Sequence, residues 1–231
     1  MSRMFTYGDK SLLTWNVLIG CTFGCTYCSV RRLVKTRLKH APRYSEGMKP
    51  RLVPELLQRR FKDGDFCFVG YMGDIACQAK HHVELVLEVV NAFPRTKFLF
   101  CSKDPAVYLR WGFQYPPNLY LGTTIESNRD HGLSRAPAPA ERYRAMVELQ
   151  HGHKFVSIEP LLDFHLATLV GWVREIGPEI VEVGPDNYHN NLPEPVTMDG
   201  QPGWWKTKML LEMLREFCPS VVEKKGLDRL L

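Results

Sequence analysis

The chain alternates short apolar runs with longer amphipathic stretches. Six runs stand out, at residues 15–19 (WNVLI), 66–70 (FCFVG), 97–101 (KFLFC), 119–123 (LYLGT), 154–158 (KFVSI) and 179–183 (EIVEV). Their length and lack of alternation suit strands buried on both faces, as in a parallel sheet. Apolar spacing and breakers predict helices over 53–61, 80–93, 105–111, 139–150, 166–176 and 204–217. Pro54 and Pro139 sit near helix starts, where a missing N–H costs nothing. Pro94 and the pair Gly177-Pro178 sit where helices must end. The stripe of Met209, Leu210, Met213, Leu214 and Phe217 reads as core packing of the last helix.

Strands alternating with helices predict an α/β fold with right-handed crossovers. Six such units suit a partial (β/α)6 TIM-like barrel, formed by a single domain over 1–231. Functional groups then belong at the C-terminal ends of the strands. Two long loops, 33–49 and 185–203, are candidate lids or binding loops. The segment 185–231 either caps the barrel or leaves it open for a large substrate.

Composition narrows the class. The 231 residues are 45% hydrophobic and 24% charged, an ordinary globular balance with enough chain for one sizeable core. No apolar run of about 18 residues exists, so no membrane span is expected. The first residues, MSRMFTYGDKSLLTWN, lack an apolar signal core, which predicts a cytoplasmic protein. The formal charge is +5, and between Arg31 and Arg60 ten Lys and Arg face only Glu46 and Glu55. Such clustering points to an anionic partner, a nucleic acid or nucleotide. A protein that is merely basic is the alternative.

Three of the seven cysteines, Cys21, Cys25 and Cys28, fall within eight residues as C-x3-C-x2-C, directly after the first strand. A secreted disulfide framework would space them more evenly. A four-thiolate zinc site would need a fourth ligand and a second C-x2-C pair. A [4Fe-4S] cube held by three thiolates keeps one iron open to a small molecule. Gly24 relieves the tight turn between them. A structural zinc or iron site, or three unligated core thiols, remain the other readings.

This loop, with the aromatic Tyr27 just before its last cysteine, resembles that of the radical-SAM superfamily. Further motifs follow in order: TWN, FVGYMGD, LFCSKDP, NLYLGTTIE and FVSIEPLL. Together they resemble a radical-SAM family from phage and prokaryotic genomes, largely of unassigned function and distantly similar to spore photoproduct lyase. The loop departs from that family in reading TWNVLIG where members often read TWNPW, and in its compact cysteine spacing. The resemblance implies that Cys21, Cys25 and Cys28 hold the cluster and that S-adenosylmethionine (SAM) chelates the open iron. It implies a reductant such as flavodoxin or ferredoxin, and a 5′-deoxyadenosyl radical that abstracts hydrogen from substrate. It places Tyr27 by the adenine and Asp74 against the SAM amino group. Asp74 also fits as a helix N-cap.

The remaining strand ends supply more candidates. Ser102 and Lys103 suit a ribose hydroxyl and a carboxylate. Thr124, Glu126 and Ser127 suit SAM ribose or substrate. Glu159, an acid ending a buried strand, joins them as a cofactor-binding candidate, with exposed loop acids as the alternative. Cys77, three residues beyond Asp74, is a candidate hydrogen-atom donor; a small buried hydrophobe is the commoner role of such a cysteine. Trp204 and Trp205 either seal the barrel's end or stack on nucleobases. The function implied is radical chemistry on a nucleic acid base or nucleotide. Modification of a peptide or small metabolite is the second reading, and a non-catalytic iron–sulfur or zinc protein the third.

Overall fold

Chain segments with alternate residues buried on opposite faces become strands, and those with an apolar stripe become helices. The computed structural model describes residues 3–7, 10–196 and 203–231. Strands β1 (Arg3–Tyr7) and β2 (Lys10–Trp15) form an antiparallel hairpin, and β3 (Leu18–Ile19) pairs with β4 (Arg51–Leu52) in a small separate sheet. Helix α1 (Ser29–Lys35) lies between β3 and β4. Then follow β5 (Phe66–Val69), α2 (Lys80–Ala92), β6 (Lys97–Ser102), α3 (Ala106–Trp111) and β7 (Leu119–Thr124). The chain continues through α4 (Pro139–Glu148), β8 (Lys154–Ile158), α5 (Leu166–Ile176), β9 (Ile180–Val183), α6 (Trp204–Arg215) and β10 (Ser220–Glu223).

The main sheet runs β1-β2-β5-β6-β7-β8-β9-β10, parallel from β2 onward. It is a curled half-barrel of seven parallel strands, where the apolar runs predict six. The seventh is β10. Its sequence, SVVE, is short and half-buried because it closes one edge of the sheet. The first strand also ends earlier than its apolar run. WNVLI breaks after Trp15 because Asn16 turns the chain, its Oδ1 accepting the Met72 N–H at 3.2 Å. The helix expected over 53–61 contracts to a 3₁₀ turn at Pro54–Gln58, and the basic loop begins inside α1. Part of the expected loop 185–203, residues 197–202, lies outside the described residues, as do residues 1–2 and 8–9 of the N-terminal stretch.

Period-two alternation fixes what each face carries. One face of the sheet packs under the helices through Val69, Phe98, Phe100, Leu121, Val156, Ile158, Val181 and Val183. The other face is filled at its base by Leu12, Phe66, Leu99, Tyr120, Phe155 and Ile180. Two residues further along the same face come Phe68, Cys101, Gly122, Ser157, Glu182 and Val222. Beyond them on the same parity come Lys103, Thr124, Glu159 and Lys224. The interior is thus apolar at the N-terminal ends of the strands and polar at the C-terminal ends. A third cluster, Ile19, Val30, Val34, Val53 and Met72, seats α1 and the small sheet beside the cysteine loop. Among the described residues, no helix is long and apolar enough to cross a membrane.

Candidate active site

A cavity of about 310 Å³ opens at the C-terminal ends of the parallel strands. Its lining comes from the cysteine loop (Cys25, Tyr27, Cys28), from Asp74 and Lys103, and from Glu159, Glu182 and Lys224 opposite.

The cysteine loop is tied down by backbone. Thr26 N–H donates to Leu133 O (2.9 Å), Arg135 N–H to Phe23 O (2.8 Å), and the Arg135 guanidinium to Thr22 O (2.5 Å). Gly24 adopts φ +68°, a left-handed turn that side-chain-bearing residues resist. Cys28 caps α1, its sulfur accepting Arg31 N–H at 3.3 Å. All seven cysteines are unpaired thiols. Cys25 and Cys28 face the cavity, whereas Cys21 lies beside Cys77, their sulfurs 3.9 Å apart. Burial pushes the Cys25 thiol up. Among the described residues, no three His, Cys, Asp or Glu side chains converge on a single metal ion.

Asp74 follows β5 and is buried. It accepts Ser102 Oγ–H (2.6 Å), Lys103 N–H (2.9 Å) and Ala76 N–H (3.0 Å). The last bond makes it the cap of a 3₁₀ turn, Ile75–Cys77, as well as a wall of the cavity. Burial pushes its carboxyl up against those three donors. Ser102 does not reach the cavity; it is 1% exposed and serves Asp74. Lys103 Nζ contacts Tyr27 OH (3.0 Å), lies over the Tyr27 ring and ion-pairs with Glu126. Glu126 also takes the Tyr27 hydroxyl and, at 2.8 Å, Arg142. Glu126 therefore stands behind Tyr27 and Lys103, outside the cavity lining. Ser127 is fully buried and donates to Asp163 O (2.6 Å), a long-range bond that ties its loop to the segment after β8. Thr124 lines the cavity. Cys77 does not; Thr22 and Cys21 surround its sulfur. Trp204 and Trp205 stay exposed at the start of α6, away from the cavity.

Of the far wall, only Glu159 is a candidate from the sequence. Lys224, just beyond β10, bridges Glu159 (2.8 Å) and Glu182 (3.4 Å), and Ser157 Oγ donates to Glu182 (2.7 Å). The available signals were a glutamate inside a central apolar strand and a lysine ending a late β-rich run.

The backbone at Gly73 meets the start of the cysteine loop directly. Gly20 and Gly73 form a parallel bridge, and a Cβ at Gly73 would stand 2.7 Å from Gly20 O. Backbone on both sides cannot yield, so Gly73→Ala should cost about 1–3 kcal/mol of stability by overpacking. Urea denaturation checks this; an unchanged midpoint would show that the two segments can part freely.

A basic groove adjoins the cavity. It is lined by Arg32, Arg37 and Leu33 and shares Ser29, Tyr71 and Tyr188 with the cavity. Arg32 stands 5.8 Å from the Tyr188 ring centroid.

The family model described as "Protein of unknown function (DUF5131)" matches residues 7–185. No curated protein matches the chain. Among solved structures, spore photoproduct lyase complexed with dinucleoside spore photoproduct is similar, with a TM-score of 0.60 at 10% identity, covering 96% of this chain and 78% of that one. A cysteine-to-alanine variant of the lyase with the same dinucleoside gives 0.61 at the same identity and coverage. A double variant with bound AdoMet and the dinucleoside gives 0.58, again at 10% identity over 96% and 78% of the two chains. At this identity the likeness is one of fold.

Proposed function

The chain belongs to the family of unknown function DUF5131, and we propose that it is a radical-SAM enzyme acting on a nucleic acid base or nucleotide. The observation that carries this reading is one tethered loop with three unpaired thiols, two of which, Cys25 and Cys28, line the half-barrel cavity. Each iron of a cube takes its own thiolate. The C-x3-C-x2-C spacing along one loop would let three thiolates take three irons of a [4Fe-4S] cluster and leave the fourth open. Cys21, Cys25 and Cys28 would hold it. Such a cluster would supply one electron, received from a carrier such as flavodoxin or ferredoxin, for the reductive cleavage of SAM.

The near wall suits the methionine end of SAM. Asp74 offers a carboxylate to an ammonium, and its three donors fix its orientation. Lys103 and Arg142 outnumber Glu126 by one charge, so the edge beside Tyr27 favours a carboxylate. The two features together complement a zwitterionic amino acid. Tyr27 and Thr124 border the remaining space, where the nucleoside part would lie.

The basic groove supports a nucleic acid substrate. Arg32 and Arg37 can follow phosphates, and Tyr71 and Tyr188 at the junction can stack bases as they pass into the cavity. The lyase structures of similar fold bind a dinucleoside photoproduct, which is in keeping with this reading. Anaerobic reconstitution with iron and sulfide, then dithionite and SAM, should release 5′-deoxyadenosine. Its absence would overturn the radical-SAM reading. A labelled single-stranded oligonucleotide should bind at low salt and lose affinity steeply as salt rises. No binding at low salt would remove the nucleic acid.

A further inference from the structure

We propose that the wall formed by Glu159, Glu182 and Lys224 is the substrate-docking face of the cavity, and that it receives the amino-bearing edge of a nucleobase. The proposal rests on the preceding reading of the cavity and assigns Glu159 to substrate, where the sequence motif suggests the cofactor.

Three observations converge. The first is placement. Glu159, Glu182 and Lys224 come from adjacent strands β8, β9 and β10 and share the interior parity of the sheet. They face the cavity from the side opposite Cys25, Tyr27 and Asp74. The second is construction. Lys224 holds Glu159 at 2.8 Å and Glu182 at 3.4 Å, and Ser157 fixes the other Glu182 oxygen at 2.7 Å. A Cβ at Gly184 would lie 3.0 Å from both Glu159 Cγ and Cδ and from Lys224 Cβ, so the glycine makes room for this pair. The third is charge. Two carboxyl groups share one ammonium on a largely buried wall, and burial pushes the Glu182 carboxyl up. Lys224 engages Glu159 through Oε2.

An anionic group is repelled there. A group with N–H donors complements these carboxyl oxygens. The phosphates of the same substrate have a separate place in the groove of Arg32 and Arg37, which meets the cavity at Tyr71 and Tyr188. The groove is basic and the wall is built of carboxyl oxygens, which complements a nucleotide with anionic phosphate at one end and neutral N–H donors on its base.

Isothermal titration of the purified chain, without reductant, tests this with two pairs of nucleosides: guanosine against inosine, and adenosine against purine riboside. Each pair differs by one amino group. In at least one pair the amino-bearing member should bind about fivefold tighter or more, as a site built around that donor requires. Glu159→Gln should erase the difference, and Glu159→Asp, which keeps the charge, should restore part of it. Thermal melting of each variant verifies folding. SAM affinity should survive in Glu159→Gln. Equal binding within both pairs, no binding by any nucleoside, a preference that persists in Glu159→Gln, or a tenfold loss of SAM affinity in that variant would each overturn the proposal. Failure of the radical-SAM reading shows separately, as absence of 5′-deoxyadenosine from the parent chain.

Discussion

Replacing Cys25 with alanine should abolish both the brown colour of the reconstituted protein and its cleavage of SAM. Cys25 is the middle thiol of the loop, 7% exposed and on the cavity surface. Without it, two thiolates remain for a cube that leaves one iron open, and neighbouring side chains offer no replacement at its position. Two further variants make the result specific. Cys67 lies inside β5, fully buried, and burial pushes its thiol up to about 12. It is a neutral core thiol at ordinary pH, so Cys67→Ala should keep the cluster and the cleavage. Cys77 has its sulfur 3.9 Å from that of Cys21. If Cys77 were a fourth ligand, no iron would stay open, so Cys77→Ala should also retain colour and cleavage. Electron paramagnetic resonance of the reduced protein, with and without SAM, reads the cluster directly. Colour and cleavage that survive Cys25→Ala would sink the assignment of the loop.

Much of this site is legible in the sequence, for a physical reason. The parallel strands are buried on both faces, so residues 154–158 and the helix at 166–176 can be bounded from their apolar content and breakers alone. Once those ends are known, the residues just beyond them are candidates for the cavity. Lys103, Thr124 and Glu159 follow from the strand ends, Asp74 from the motif resemblance, and all four line it. What the sequence hides is sidedness and partnership. Ser102 and Ser127 also follow strand ends, yet their hydroxyls are turned to Asp74 and to the Asp163 carbonyl. Glu182 lies within an apolar run, where period-two alternation is masked because both faces are buried. Lys224 follows an edge strand too short to register as one. Its pairing with Glu159, 65 positions earlier, is a product of topology that no local pattern carries.

Glu126→Ala should be the most destabilising single change near the site, costing about 3–5 kcal/mol, because it strands two buried cations. The Glu126 side chain is 5% exposed and those of Arg142 and Lys103 are 4% and 15% exposed. Burial alone would push the carboxyl up, yet Lys103 and Arg142 together hold it at about 2. Burial would likewise lower Lys103, and the facing Glu126 and Tyr27 raise it instead. The set is stable because it is complete, and no single member can leave without uncovering a charge. The pH dependence has a definite sign. The folded value lies below the ordinary 4.5, so the stabilisation is fully present above that value and fades as pH falls towards about 2. Removing a cation as well should recover part of the loss. Arg142→Met combined with Glu126→Ala should therefore cost less than the sum of the two single changes, a coupling that a double-mutant cycle in urea measures. A loss below about 1 kcal/mol for Glu126→Ala, the range of exposed pairs, would mean that water reaches Lys103 and Arg142 and that the wall behind Tyr27 is open.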